Sequence, residues 1–259
     1  MKLKKSNLIA NILIPILTIL GIVLIWFFAS WVVGSEIVLP SPTDTLKELF
    51  VLMGSGRFWL GLGGTILRGV IAFAVSFVLA TTLALVSYKC KWSRTTIGLL
   101  IAILRALPTV AIILLLLLWT TSRIAAVVVT MIVVLPTLYS AIMQTFIGID
   151  IDIVEMLNFY KVPKKIQFSK YIVPTITPSM IETIGGGMAL NIKLMVAAEV
   201  IAGTARSIGQ LMNQSKVYFE TANLFALVII VIVLAVAIEL ICRLIANRIR
   251  VKHGTKKDN

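Results

Sequence analysis

The sequence predicts an all-α, polytopic membrane protein with about six transmembrane helices, and three observations carry that prediction. The 259 residues are 59% hydrophobic and only 14% charged, against roughly 45–50% apolar and about 25% charged in a soluble domain. Apolar runs of about 18 residues or more, long enough to cross a bilayer as helix, recur along the whole length and leave no separate soluble domain. Lysine and arginine collect in alternate connections between those runs, the signature of membrane orientation.

The first run, 8–33, is uncharged and follows Met-Lys-Leu-Lys-Lys. A cleavable signal peptide has an apolar core of only about 7–15 residues, so this run reads as an uncleaved first span. Further runs lie near 65–87, 97–119, 124–147, 178–201 and 224–246. Sixteen of the 24 basic residues fall on one side: Lys2, Lys4 and Lys5; Lys89, Lys91 and Arg94; Lys161, Lys164, Lys165 and Lys170; and Arg243, Arg248, Arg250, Lys252, Lys256 and Lys257. The alternate loops hold Lys47, Arg57, Arg123, Arg206 and Lys216, while Arg68, Arg105 and Lys193 fall in or near spans. The excess places the N- and C-termini in the cytoplasm of a multi-pass protein of the cell (inner or plasma) membrane.

Two loops carry helix signals. Outside, Ser41-Pro42-Thr43-Asp44 offers an N-cap serine, proline at the first helical position and an acid at the third. Leu46, Leu49, Phe50 and Met53 follow on one apolar face, which suggests a short helix on the outer surface. Inside, Asp152 and Glu155 suggest a cap before a helix over 156–161, which Pro163 ends, because the residue before a proline avoids the α region. A basic helix over 164–171 then leads to Pro174 and the fifth span.

Several function classes are excluded. The net charge of +13 would suggest nucleic acid in a soluble protein, but here it reports orientation, and no nucleic-acid partner is expected. Cys90, Cys242 and the single His253 form no ligand spacing, so neither metal nor cofactor is expected. No G-x-x-x-x-G-K-[ST] is present to cradle a nucleotide phosphate, so the chain reads as a non-enzyme with no catalytic residues.

Charges at membrane depth are costly and call for a functional reading. Glu182 and Lys193 lie eleven residues apart on one face of the fifth span, about 16 Å along it by the 1.5 Å rise. Glu199 points to another side. These carboxylates either orient the helix at its interfaces or line a pathway. The Gly185-Gly186-Gly187 cluster serves either close helix packing or a smooth wall facing a pore. Arg105, in Leu104-Arg105-Ala106-Leu107-Pro108, either packs into protein or snorkels to the inner side.

Four stretches carry a resemblance over nearly the whole chain: Leu39-Pro40-Ser41-Pro42, Leu67-Arg68-Gly69, Arg105-Ala106-Leu107-Pro108, and the cytoplasmic loop 148–173. Together they resemble the transmembrane permease subunit of a binding-protein-dependent ABC importer, in the nitrate/sulfonate/taurine-type branch. In that family the loop runs Glu-Ala-Ala, three residues, Gly, then an Ile-x-x-Pro-like ending. Glu155 matches the acid, Tyr171-Ile172-Val173-Pro174 matches the ending, and Ala197-Ala198-Glu199 matches the end of the fifth span. Met156 and Leu157 replace the alanines and Lys161 the glycine. Glycine would take a positive φ there more cheaply than lysine, so Pro163 is expected to set the bend instead.

The resemblance implies a type I ABC importer-like fold in which residues 1–259 form one permease domain. It implies a second permease copy (a homodimer), two ATP-binding subunits beneath, and an extracytoplasmic binding protein that delivers a small solute such as nitrate, a sulfonate or a thiamine precursor. The ATPase-coupling loop would present Glu155, Met156, Leu157, Asn158, Phe159, Tyr160, Lys161 and Pro163, and hydrolysis would belong to the partner chain. Glu182, Gly185, Gly186, Gly187, Lys193 and Glu199 are the candidate pathway residues. The competing reading is an ion-coupled secondary transporter using Glu182, Lys193 and Glu199, but the internal repeat that such folds show is absent.

Overall fold

Backbone amides inside lipid must find partners within their own segment, which restricts spanning structures to helices and closed barrels. Here they form helices. The computed structural model describes residues 2–252, so His253, Lys256 and Lys257 of the basic tail lie outside the described residues. In order the elements are α1 (Lys2–Val33), α2 (Pro42–Met53), α3 (Gly56–Lys89), α4 (Lys91–Ala106), α5 (Thr109–Trp119), α6 (Ser122–Ile147) and α7 (Ile151–Phe159). Then come α8 (Lys164–Gln167), a π-helical turn (Phe168–Ile172), α9 (Val173–Ala202), α10 (Ile208–Val217) and α11 (Thr221–Lys252).

Among the described residues five helical stretches are long and apolar enough to cross a membrane: Ile16–Val33, Gly56–Lys89, Ser122–Ile147, Lys164–Ala202 and Thr221–Val251. The pair α4 and α5 makes a sixth if taken as one broken span, bent by 89°. Leu107 and Pro108 form the break. Proline has no N–H to continue the ladder and pushes its predecessor out of the α region, and Leu107 accordingly sits at φ −68°, ψ 128°. The run at 97–119 is therefore not one straight helix.

The helices group into two units, Met1–Trp59 with Leu211–Ile230, and Leu60–Gln210 with Val231–Asn259. Within the first, Trp26 Nε1 donates to the Pro40 carbonyl at 3.1 Å and Ser30 Oγ to the Leu39 carbonyl at 3.1 Å. The Trp26 ring stacks on Phe225, centroids 5.6 Å apart. These bonds hold the Leu39–Pro40 turn that starts α2. Ser41 is its N-cap, accepting from the Asp44 amide at 3.1 Å. The Ser41 hydroxyl also donates to the Asp44 carboxylate, and Lys47 Nζ reaches it at 3.0 Å. The hydroxyl first, and Lys47 second, hold that carboxyl below its ordinary range. Leu46, Phe50 and Met53 stay exposed, as a surface helix requires.

In the second unit α6 and α9 form the central pair. Val134, Leu138, Ile142 and Phe146 of α6 pack with Phe73, Ala80 and Ala84 of α3 and Ile101 of α4. A second cluster joins Ala72, Ile113, Ala126, Val129, Met195 and Ala198. Arg105 turns onto α6 rather than snorkelling. Its Nη2 donates to the Pro136 carbonyl at 3.2 Å and to the Ser140 hydroxyl, which gives a cation at membrane depth two acceptors beside an intrahelical proline.

Candidate functional site

The first helix of the 148–173 loop, expected over 156–161, runs instead over Ile151–Phe159. Asp150, not Asp152 or Glu155, is the N-cap of α7: its side chain accepts from the Asp152 amide at 3.0 Å. Glu155 lies inside the helix and is exposed. At the other end Lys161 has φ +52°, so the lysine itself takes the left-handed conformation and the bend does not wait for Pro163. The reason is a helix-ending motif with two bonds. The Val162 amide donates to the Leu157 carbonyl at 3.0 Å, and the Lys161 amide to the Asn158 carbonyl at 2.9 Å. These satisfy carbonyls that the helix end would otherwise leave bare, against a left-handed cost of about 1–2 kcal/mol for a residue with a Cβ.

Gln167, which carries no sequence signal of its own, fastens this turn. It is buried, and its Nε2 donates to Asn158 Oδ1 and to the Val162 carbonyl, both at 2.9 Å. Beyond it the chain widens into the π-helical turn, where the Val173 amide reaches the Phe168 carbonyl. Pro174 lacks the N–H that a regular α turn needs at that point, which favours the extra residue. The 164–171 segment is thus a short helix followed by a π turn, running straight into α9. Met156, Phe159 and Tyr160 are 51%, 83% and 71% exposed, whereas Leu157 is half-buried. The Phe159 and Tyr160 rings meet edge to face at 5.6 Å.

The second set lies on α9, where the structure sorts the six candidates into two groups. At about 100° per residue, Ser179, Glu182, Gly186, Leu190, Lys193 and Ala197 share one stripe, all exposed or half-buried. A Cβ at Gly186 would meet nothing within 4 Å. Lys193 makes no ion pair among the described residues. Glu182 accepts from Arg250 Nη2 at 2.9 Å, with both side chains about a third exposed.

Gly185, Gly187 and Glu199 face the other way and do not join that stripe. A Cβ on Gly187 would stand 2.6 Å from Leu138 and 3.1 Å from Phe73, and one on Gly185 would collide with Cys242. Both glycines therefore serve helix packing. Glu199 is fully buried. Its Oε1 accepts from Arg68 Nη2 at 2.6 Å and Nε at 2.8 Å, and its Oε2 from Thr65 Oγ1 at 2.7 Å. Arg68 Nη2 also donates to the Arg206 carbonyl at 3.1 Å, and the Ile208 amide, which starts α10, donates to Thr65 Oγ1 at 3.0 Å. Gly64 admits this turn, since a Cβ there would strike the Arg206 carbonyl. One paired carboxylate thus ties α3, α9 and the start of α10 together. Two opposite charges in separate apolar runs were the available signal for that pair.

A family model, "Binding-protein-dependent transport system inner membrane component", matches residues 76–251. Among solved structures the fold resembles chains of the MetNI methionine ABC transporter in inward-facing conformations, in two crystal forms, with TM-scores of 0.62 and 0.58. Both are 14% identical in sequence, and the alignments cover 74% of this chain and 97% and 93% of theirs. Comparison with curated proteins gives no match.

Proposed function

The chain belongs to the family of binding-protein-dependent transport system inner membrane components, and from that premise we propose that it is the permease subunit of an ATP-driven importer, of the nitrate/sulfonate/taurine type, that receives a small solute from an extracytoplasmic binding protein. Two copies enclose the pathway, both termini are cytoplasmic, and two separate ATP-binding subunits dock beneath on the 148–173 loop. The observation that carries this reading is the bare aromatic end of α7. Phe159 and Tyr160 stand exposed at the end of a short helix, with Lys161, Lys164 and Lys165 next in sequence, where nothing within the described chain covers them. An apolar helix tip of this kind suits a groove on a partner.

The mechanism follows from how the loop is built. Gln167 clamps the end of α7 to α8, and Tyr171 Oη reaches back to the Asp150 carbonyl at 3.4 Å. A push on α7 therefore moves the loop as one body and passes through the π turn into α9. That helix carries the open stripe of Glu182, Gly186 and Lys193, which lines the pathway. ATP closing the partner subunits biases the stripe between outward and inward access, through the different contacts α7 makes in each state.

Capture of the ATP-binding subunit by membranes carrying each variant tests this. Phe159→Asp replaces an anchor worth about 2 kcal/mol by an unpaired charge, and capture is expected to fall about thirtyfold or more. Leu157→Asp disturbs the loop's own packing instead. Phe159→Asp membranes that retain the ATPase at the wild-type level overturn the reading.

A further inference from the structure

A cleft of ≈ 570 Å³ opens between the last turns of α6 and the first turns of α9, lined by Gln144, Thr145, Thr175, Ser179, Glu182 and Thr183. That volume is in the range of small-molecule sites. The hydrogen-bonding character of the lining is lopsided. Thr145 Oγ1 already donates to the Ala141 carbonyl at 3.0 Å, Thr175 Oγ1 to Tyr171 at 2.7 Å, and Thr183 Oγ1 to Ser179 at 2.9 Å. A hydroxyl has one hydrogen to give and two lone pairs to receive, so these three threonines are left as acceptors. Glu182 adds a carboxylate whose Oε2 takes Arg250 and whose second oxygen has no partner among the described residues. Only the Gln144 amide and the Ser179 hydroxyl remain as donors. No lysine or arginine lines the cleft.

We propose that this cleft is a solute site at the inner mouth of the pathway, and that it takes a neutral or cationic solute rich in hydrogen-bond donors, of the amine, amidine or polyol class. The site rests on the importer reading above, because it opens onto the Ser179–Glu182–Gly186 stripe of α9. An oxyanion brings acceptors alone. It would face threonine lone pairs and a carboxylate with only two neutral donors to hold it, and burying acceptors against acceptors is penalised. A protonated amine or amidine instead brings donors to the free threonine lone pairs and the Glu182 carboxylate. Among the solutes which that importer branch implies, the cleft therefore suits a donor-rich thiamine precursor rather than nitrate or a sulfonate.

The test uses the full chain in inside-out membrane vesicles, with Cys90→Ser and Cys242→Ala removing the native thiols. Ser179→Cys is titrated with two methanethiosulfonate probes, one bearing trimethylammonium and one bearing sulfonate. The reference is Ser93→Cys, a site between Lys91 and Arg94. The ratio of cationic to anionic labelling rates is expected to be higher at Ser179→Cys than at this basic reference, and about tenfold of it should depend on Glu182; a ratio that Glu182→Gln leaves unchanged overturns the proposal. Adding Glu182→Gln should bring the ratio to the reference value or below it, since Arg250 is then uncompensated. Gln144→Cys gives the same comparison from the facing helix. A ratio equal to or below the reference at both positions, or no labelling at either, overturns the proposal. ATPase capture on the same membranes separates the two readings: capture without charge preference sinks the cleft alone, and charge preference without capture sinks the importer alone.

Discussion

Two carboxylates on α9, Glu182 and Glu199, have opposite fates, and the difference shows how one helix can carry a fully satisfied face and an open one. Glu199 has no exposed surface and meets Arg68, Thr65 and the amide-rich start of α10. Glu182 stands on the open stripe, about a third exposed, and pairs with a single cation, Arg250, at 2.9 Å. The same division separates the glycines, with Gly185 and Gly187 against neighbouring side chains and Gly186 against open space. A helix that crosses lipid with charges on both faces is stable only if one face is satisfied by protein and the other by water. Here the satisfied face ties α9 to α3 and the start of α10, and the open face is the one that the proposed mechanism assigns to transport.

The largest effect that could break this comparison comes from removing the buried cation. Arg68→Ala strands Glu199 without a counter-charge, and loss of one partner of a buried pair costs about 3–5 kcal/mol. Glu182→Gln removes only a half-exposed pair, worth about 0–1 kcal/mol. Thermal unfolding of the purified chain in detergent should therefore show a large loss for the first and almost none for the second. Equal losses would mean that the two faces are not different in kind.

A smaller effect sharpens the same contrast one residue at a time. Gly187→Ala forces a methyl group toward Leu138 and Phe73, and overpacking of this sort costs about 1–3 kcal/mol. Gly186→Ala meets nothing, and the exchange gains up to about 1 kcal/mol of helix propensity. The pair should move the unfolding midpoint in opposite directions, and a shared direction would contradict the assignment of faces.

What was legible in the sequence was whatever is decided locally. The apolar runs, the Ser41 cap and the basic connections depend on neighbours within one or two turns, and so does the separation of Glu199 from Glu182 and Lys193 at about 100° per residue. Pairings across the fold were not legible. Arg68 and Glu199 are 131 residues apart, and each alone reads equally well as a pathway charge. The turn after α7 misled for a different reason. Propensity argues against a lysine at positive φ, but the two capping bonds and the Gln167 clamp override it at Lys161. Likewise, Phe159 and Leu157 look interchangeable in sequence, and only the packing of the loop shows which one is bare.

In the proposed mechanism a push on α7 reaches the open stripe of α9, and Lys193 is the place to read it. Lys193→Cys, in a chain lacking Cys90 and Cys242 and assembled with its ATP-binding subunits, should react with a membrane-impermeant, water-soluble maleimide. Its rate should change severalfold when a non-hydrolysable ATP analogue closes the partners, and Phe159→Asp should abolish that change while leaving the basal rate intact. A Lys193→Cys that reacts only with lipid-soluble reagents, or at a rate that nucleotide never alters in the assembled complex, would contradict it.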